Sequence, residues 1–202
     1  MDYFSKEEAD VIGEISNISI GSSATALNLM LGQPVTITTP IVSLVHRDEI
    51  LNDYEKSCVI IRVQYIQGLY GSNVLVLKDE DAKIITDLMM GNNGAGPYAS
   101  GNITDLHLSA VSEAMNQMMG AAATSMSVML DRKTDISTPE AKYMEEGEYI
   151  AYTFTNTERL IKVGFKMSIG DVFSSPMVQL YPYDLAKSIS NLFLDKKEKE
   201  KN

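Results

Sequence analysis

Glu14 and Asn17 stand three residues apart, with Asp10 four before the glutamate and Gly21 four after the asparagine. Ser109, Glu113, Asn116 and Gly120 repeat that spacing 99 residues further on. In a helix these intervals stack each set on one face. A carboxylate beside a carboxamide, with no His, Lys, Ser or Cys in register, cannot form a nucleophile and base pair, and it is too poor a ligand set for zinc. No metal site of the chain's own is expected. A carboxamide can both donate to and accept from a water and so fix its position for in-line attack. That suffices where the bond is already activated, as in an aspartyl phosphate, because phosphoryl transfer depends mostly on positioning and charge stabilisation.

An amphipathic helix always has a solvated polar stripe, and a single Glu-x-x-Asn would mean no more than that. Here Glu, Asn and Gly recur in register, although a face that only needs water could exchange them freely. The glycines carry information because Gly costs roughly 1 kcal/mol against Ala inside a helix. On a polar face they suggest that something approaches the backbone closely. His46 and His107 fall out of register with the stripe and are expected to be satisfied surface histidines.

The stripes need helices to carry them. Residues 7–31 read as a helix that opens on Ser5 with Glu8 three positions on, a capping box, and stops near Gly32-Gln33-Pro34. Ile12, Ile15, Ala26 and Met30 form its core face. A second long helix is expected over about 103–130, its core face carrying Val111, Met115, Met118, Ala122 and Met129. After the first helix the pattern predicts a strand over 35–45, a polar connection from His46 to Lys56, strands over 58–66 and 73–77, and a helix over 79–90. After the second it predicts strands near 134–144, 148–155, 160–169 and 177–181, and a helix near 183–194. Gly91, Gly94 and Gly96 lie in a loop with no Lys-Ser/Thr pair and no preceding strand, which reads as a linker and not a phosphate cradle.

The chain is therefore one unit written twice. Ile60-Ile61-Arg62-Val63-Gln64-Tyr65 lies against Leu160-Ile161-Lys162-Val163-Gly164-Phe165, and Ala82-Lys83 against Ala186-Lys187. Two such units bury their apolar faces best by sharing one sheet. The expectation is an α+β domain over 1–194, with pseudo-twofold-related repeats at about 7–92 and 102–194. Its strands are too closely spaced for helical crossovers, so the sheet should be mostly antiparallel, with both long helices on one side. Residues 195–202 read as a charged tail and the start of a linker.

Composition limits the partners. Seventeen Lys and Arg against 27 Asp and Glu give a net charge of -10, which argues against nucleic acid or an anionic membrane surface as a direct partner. The single cysteine, Cys58, fits a reducing cytoplasm and, at the start of an apolar run, a buried small hydrophobe. With no long apolar span and no signal-peptide pattern, a cytoplasmic protein without direct membrane insertion is expected.

Asp10-x3-Glu14-x2-Asn17-x22-Pro40 and Ser109-x3-Glu113-x2-Asn116-x22-Pro139 both fit the Asp/Ser-x3-Glu-x2-Asn-x22-Pro signature of the CheC, CheX and FliY phosphatase family. The chain resembles that family over most of residues 7–194, and the wording around the motifs is nearer its FliY branch. The resemblance implies a phosphatase acting on the aspartyl phosphate of the chemotaxis regulator CheY at the flagellar motor switch. Asn17 and Asn116 would orient the water, and Glu14 and Glu113 would hold the partner, through its active-site lysine. Asp10, Gly21, Ser109 and Gly120 would lie on the partner-binding face, while Pro40 and Pro139 shape the following strands. Mg²⁺ would belong to phosphorylated CheY, leaving no cofactor of the chain's own. It further implies FliM, FliN and FliG as partners of a full-length protein at the cytoplasmic face of the basal body. Two features depart from the family: nothing after Asp195 could form a FliN-like domain, and residues 1–6 are too short for a CheY-docking peptide. The competing expectation is a switch-complex scaffold that binds CheY without turnover.

Overall fold

The computed structural model describes residues 3–53, 57–145 and 157–202. Helix α1 (Lys6–Leu31) starts on the expected capping box: Ser5 Oγ accepts from the Glu8 N–H at 3.1 Å, and the Glu8 carboxylate accepts from the Ser5 N–H at 2.6 Å. It ends where Gly32 takes the left-handed conformation (φ 63°) and donates to the Asn28 carbonyl at 2.9 Å. Strands β1 (Val35–Ile37) and β2 (Ile41–His46) follow. They replace the single strand expected over 35–45, because buried Pro40 has no N–H for a ladder and interrupts this edge. The expected polar connection contains a short helix, α2 (Arg47–Asp53), whose Ile50 is buried.

Strands β3 (Cys58–Gln67) and β4 (Gly71–Lys78) form a hairpin, and helix α3 (Asp79–Met89) closes the first repeat. Gly68 in the hairpin turn has φ +82°, and a Cβ there would stand 2.2 Å from the Lys133 carbonyl oxygen, so no other residue fits. The second repeat has helix α4 (Asp105–Met129), strands β5 (Asp135–Ile136), β6 (Glu140–Met144), β7 (Arg159–Ile169) and β8 (Phe173–Pro182), and helix α5 (Tyr183–Lys201). Pro139, also buried, breaks β5 from β6 as Pro40 breaks β1 from β2. The strand expected over 148–155 lies outside the described residues. Helix α5 continues through 195–201, the segment expected to be a charged tail.

All eight described strands join one sheet in the order β1-β7-β8-β4-β3-β5, with β2 also on β7 and β6 also on β3, and every pairing is antiparallel. The order is a palindrome of equivalent strands. Its centre is the β4–β8 pair, in which Val74 faces Leu180, Leu75 faces Gln179 and Val76 faces Val178. With β8 offset from β4 by 104 residues, each outer pair is the other reversed, so the pseudo-dyad passes through Leu75–Gln179.

Alternation along the strands sends Val59, Ile61, Val63, Leu75, Leu77, Ile161 and Val163 into the main core beneath α1 and α4, while Ile60, Val74, Val76, Val178 and Leu180 form a smaller cluster on the reverse face. Both faces of the central strands are thus apolar. A dyad normal to this sheet reverses directions within its plane, so α1 and α4, packed side by side on one face, run antiparallel. Ile12, Ile15, Val111, Met115, Met118 and Ala122 are buried as expected, and Ala26, Met30 and Met129 are partly buried. Each such burial contributes roughly 1–3 kcal/mol. No described helix is long and apolar enough to cross a membrane.

Candidate functional site

The polar stripes lie where their spacing puts them, on the faces of α1 and α4 turned away from the core. Asp10, Glu14, Asn17 and Gly21 are all exposed; in the second set Ser109 and Glu113 are exposed, and Asn116 and Gly120 are half-buried. Because the helices are antiparallel, the two sets lie toward opposite ends of the helical layer and form two sites. Of the first set, Asp10 and Glu14 line a groove of about 600 Å³ between α1 and the end of α5, together with Lys197, while Asn17 and Gly21 stand on the same helix face outside that lining. Of the second set, Ser109, Glu113 and Asn116 line a groove of about 360 Å³ between α4 and the edge strand β6, with Thr138 and Ala141 opposite, and Gly120 lies outside it. Pro40 and Pro139 line neither of these two grooves and serve the strand breaks instead.

The carboxamides of Asn17 and Asn116 have no hydrogen-bond partner among the described residues, and both reach solvent. Their capacity to donate and accept is intact. The glutamates differ. Glu14 Oε2 accepts from Lys197 Nζ at 3.0 Å, whereas Glu113 Oε1 accepts from Gln117 Nε2, one turn along its own helix, at 2.9 Å. The Lys197 contact was not legible in the spacing, since it joins residues 183 positions apart.

The glycines are not packing requirements. A Cβ built on Gly21 or Gly120 would meet no atom within 4 Å. In both helices the carbonyl of the glycine accepts from a threonine one turn on, Thr25 at 3.2 Å and Thr124 at 3.1 Å. The cost in helix propensity is not offset by any internal contact, as expected if the backbone is left bare for an external surface.

The remaining candidates resolve as structure. His107 is a buried residue, which corrects the expectation of a surface one: its Nε2 donates to the Tyr98 carbonyl at 2.8 Å, and its Nδ1 accepts from the Thr104 N–H at 3.1 Å. Both ring nitrogens are spent internally, Nδ1 in capping α4 and Nε2 in tying the preceding loop to it. His46 is exposed at the end of β2, 3.4 Å from Asp48. Burial pushes the Cys58 thiol up to about 11, so it behaves as a small apolar group. The glycine loop does cradle an anion, but the anion is the chain's own Asp87, whose carboxylate accepts from the N–H groups of Gly94 (2.9 Å), Gly96 (3.0 Å) and Tyr98 (3.1 Å) and from Asn92 (3.2 Å). No group of three or more His, Cys, Asp or Glu residues placed to hold a metal occurs among the described residues.

The family model described as CheC-like matches residues 7–44 and 106–143, one segment per repeat, each covering a stripe and its proline. The crystal structure of Thermotoga maritima FliY superposes with a TM-score of 0.83 at 36% identity, over 95% of this chain and 98% of that one. The chain belongs to the CheC-like family. Within the CheC-like proteins it is also 44% identical over 201 residues to the flagellar motor switch phosphatase FliY of Bacillus subtilis (strain 168), covering 99% of this chain and 53% of that protein. It thus spans about half the length of that curated relative. The Helicobacter pylori FliG–FliM complex contains a chain with the same fold (TM-score 0.73, 17% identity, 93% of this chain and 99% of that one).

Proposed function

We propose that this chain is a protein phosphatase that hydrolyses the aspartyl phosphate of the chemotaxis response regulator CheY at the flagellar motor switch. The observation that carries the reading is the pair of solvent-reaching, unpartnered carboxamides, Asn17 and Asn116, each one turn beyond an outward-facing glutamate. Likeness to FliY proteins over the whole chain supports it.

Each asparagine would hold a water in line with the phosphorus, accepting a hydrogen bond from it while the amide donates to a phosphoryl oxygen. The chain's contribution is then positional, which suits an acyl phosphate whose leaving group is already good. Glu14 and Glu113 would anchor the partner through a cation on its surface, with Asp10, Ser109, Gly21 and Gly120 extending the contact. Mg²⁺ would arrive with phosphorylated CheY. FliM, FliN and FliG would be the partners of the longer protein, at the cytoplasmic face of the basal body. A non-catalytic CheY scaffold has no need of two amides kept free of internal bonds, and this disfavours it.

The test is phosphate release from Mg²⁺-phosphorylated CheY with and without the chain. Acceleration supports the reading, and an unchanged rate despite measurable binding leaves the scaffold.

A further inference from the structure

The pseudo-dyad relates α3 to α5, with Ala82-Lys83 matching Ala186-Lys187, but the two helices differ in length. Helix α3 stops at Met89, and the chain then turns into the glycine loop folded on Asp87. Helix α5 continues well past the equivalent point, to Lys201. This extension has no counterpart in the first repeat, and it builds one wall of the groove at Asp10 and Glu14 and none of the groove at Ser109, Glu113 and Asn116.

The extension is pinned at both sides of its contact. Lys196 Nζ donates to the Val128 carbonyl near the end of α4 at 3.0 Å, and Lys197 Nζ lies 4.6 Å from the centroid of the buried Phe193 ring while donating to Glu14. The ring and the carboxylate both attract the ammonium. At the second site no cation sits on Glu113 among the described residues; its partner is the neutral amide of Gln117, which can rotate away without leaving a charge behind.

We infer that Lys197 is a built-in competitor that masks the first site, so that the two sites are unequal: the second is open, and the first becomes available only when the end of α5 releases Glu14. The inference rests on the proposed role of Glu14 as an anchor for a partner's cation. Any such cation must first displace Lys197. Glu14 and Lys197 are each nearly half exposed, with side-chain exposures of 47% and 45%. Exposed ion pairs are weak, so the masking should be modest, roughly two- to fivefold, and should fade with added salt.

Single-site backgrounds test it. Asn116→Ala leaves only the first site, Asn17→Ala only the second, and Lys197→Ala is added to each. The expected result with Mg²⁺-phosphorylated CheY is a roughly two- to fivefold rise in kcat/KM in the Asn116→Ala background at low salt, no change in the Asn17→Ala background, and no rise with Lys197→Arg. No rise or a fall in the Asn116→Ala background overturns the masking, as does an equal rise in both. Failure of the underlying reading looks different: the Asn17→Ala, Asn116→Ala double variant would then hydrolyse at the wild-type rate whatever occupies position 197.

Discussion

The hydroxyl of Ser23 in α1 lies 2.9 Å from the main-chain carbonyl of Met118 in α4. Ser23 is buried, and its single proton is shared with the Ser19 carbonyl of its own helix, also at 2.9 Å. Beside it, Ser22 and Ser125 are hydrogen-bonded through their hydroxyls. Small hydroxylated side chains at the crossing let the helices approach closely, and this sets how far apart the two sites lie. Ser23→Ala should cost about 1 kcal/mol, seen as a lower urea midpoint at unchanged m-value. Ser23→Leu must push the helices apart, and should cost more, about 1–3 kcal/mol. Equal midpoints for the two variants would show that the crossing is not tightly packed.

The site glycines predict an exchange of binding for stability. The space where a Cβ would go is empty at both positions, so Gly21→Ala and Gly120→Ala should each raise stability by roughly 0.5–1 kcal/mol. Each should also weaken engagement of phosphorylated CheY, because the added methyl stands on the face left bare. A higher melting temperature with unchanged dephosphorylation kinetics would remove the glycines from the contact surface.

What the sequence disclosed was whatever repeats or has a period. The capping box of Ser5 and Glu8, the duplicated stripes and the apolar alternation of β3 and β7 are local patterns, and they placed the helices, the sheet and both asparagines. The breaks at Pro40 and Pro139 were obscured because apolar residues continue on either side of Thr38-Thr39 and Ser137-Thr138. Helix α2 was hidden in a polar run, marked among the described side chains by the buried Ile50. The burial of His107 depends on a carbonyl at Tyr98, in a loop whose path is set by Asp87. The end of α5 looked like a tail because Lys and Glu alternate there with nothing apolar; its Lys196–Glu200 pair at 3.7 Å and its contacts with Glu14 and Val128 exist only in the folded chain.

Two carboxylates make stability depend on acid. Burial raises the Asp87 carboxyl, but the N–H groups of Gly96, Tyr98 and Gly94 and the Asn92 amide outweigh it and hold the group below its usual 3.8. Burial likewise raises Glu8, and Lys187 and the Ser5 N–H bring it below its usual 4.5. A group whose folded value is depressed stabilises the fold fully above its unfolded value and loses that contribution as pH falls through the folded one. The urea midpoint should therefore hold steady above about pH 5 and decline below pH 4. In Asp87→Asn the decline should be shallower and the neutral-pH midpoint already lower, since the cage then faces an amide. An unaltered acid slope would show that Asp87 does not carry it.

The proposed mechanism separates positioning a water from holding a partner. If Asn17 and Asn116 only orient the attacking water, changing both to Ala should abolish accelerated dephosphorylation while leaving the affinity for phosphorylated CheY within a few-fold, because an interaction made only in the transition state lowers kcat without altering ground-state binding. Glu113→Lys should do the reverse in the Asn17→Ala background: it places a cation against the cation it is meant to hold, so KM should rise several-fold before kcat falls. Glu113 is the cleaner position for this because its intramolecular partner is the neutral Gln117, whereas a lysine at position 14 would also confront Lys197. Stopped-flow dephosphorylation with CheY titrated across its KM resolves the two parameters. If the double Asn variant bound an order of magnitude more weakly, the carboxamides would be anchors as well as water holders, and assigning anchoring to the glutamates alone would fail.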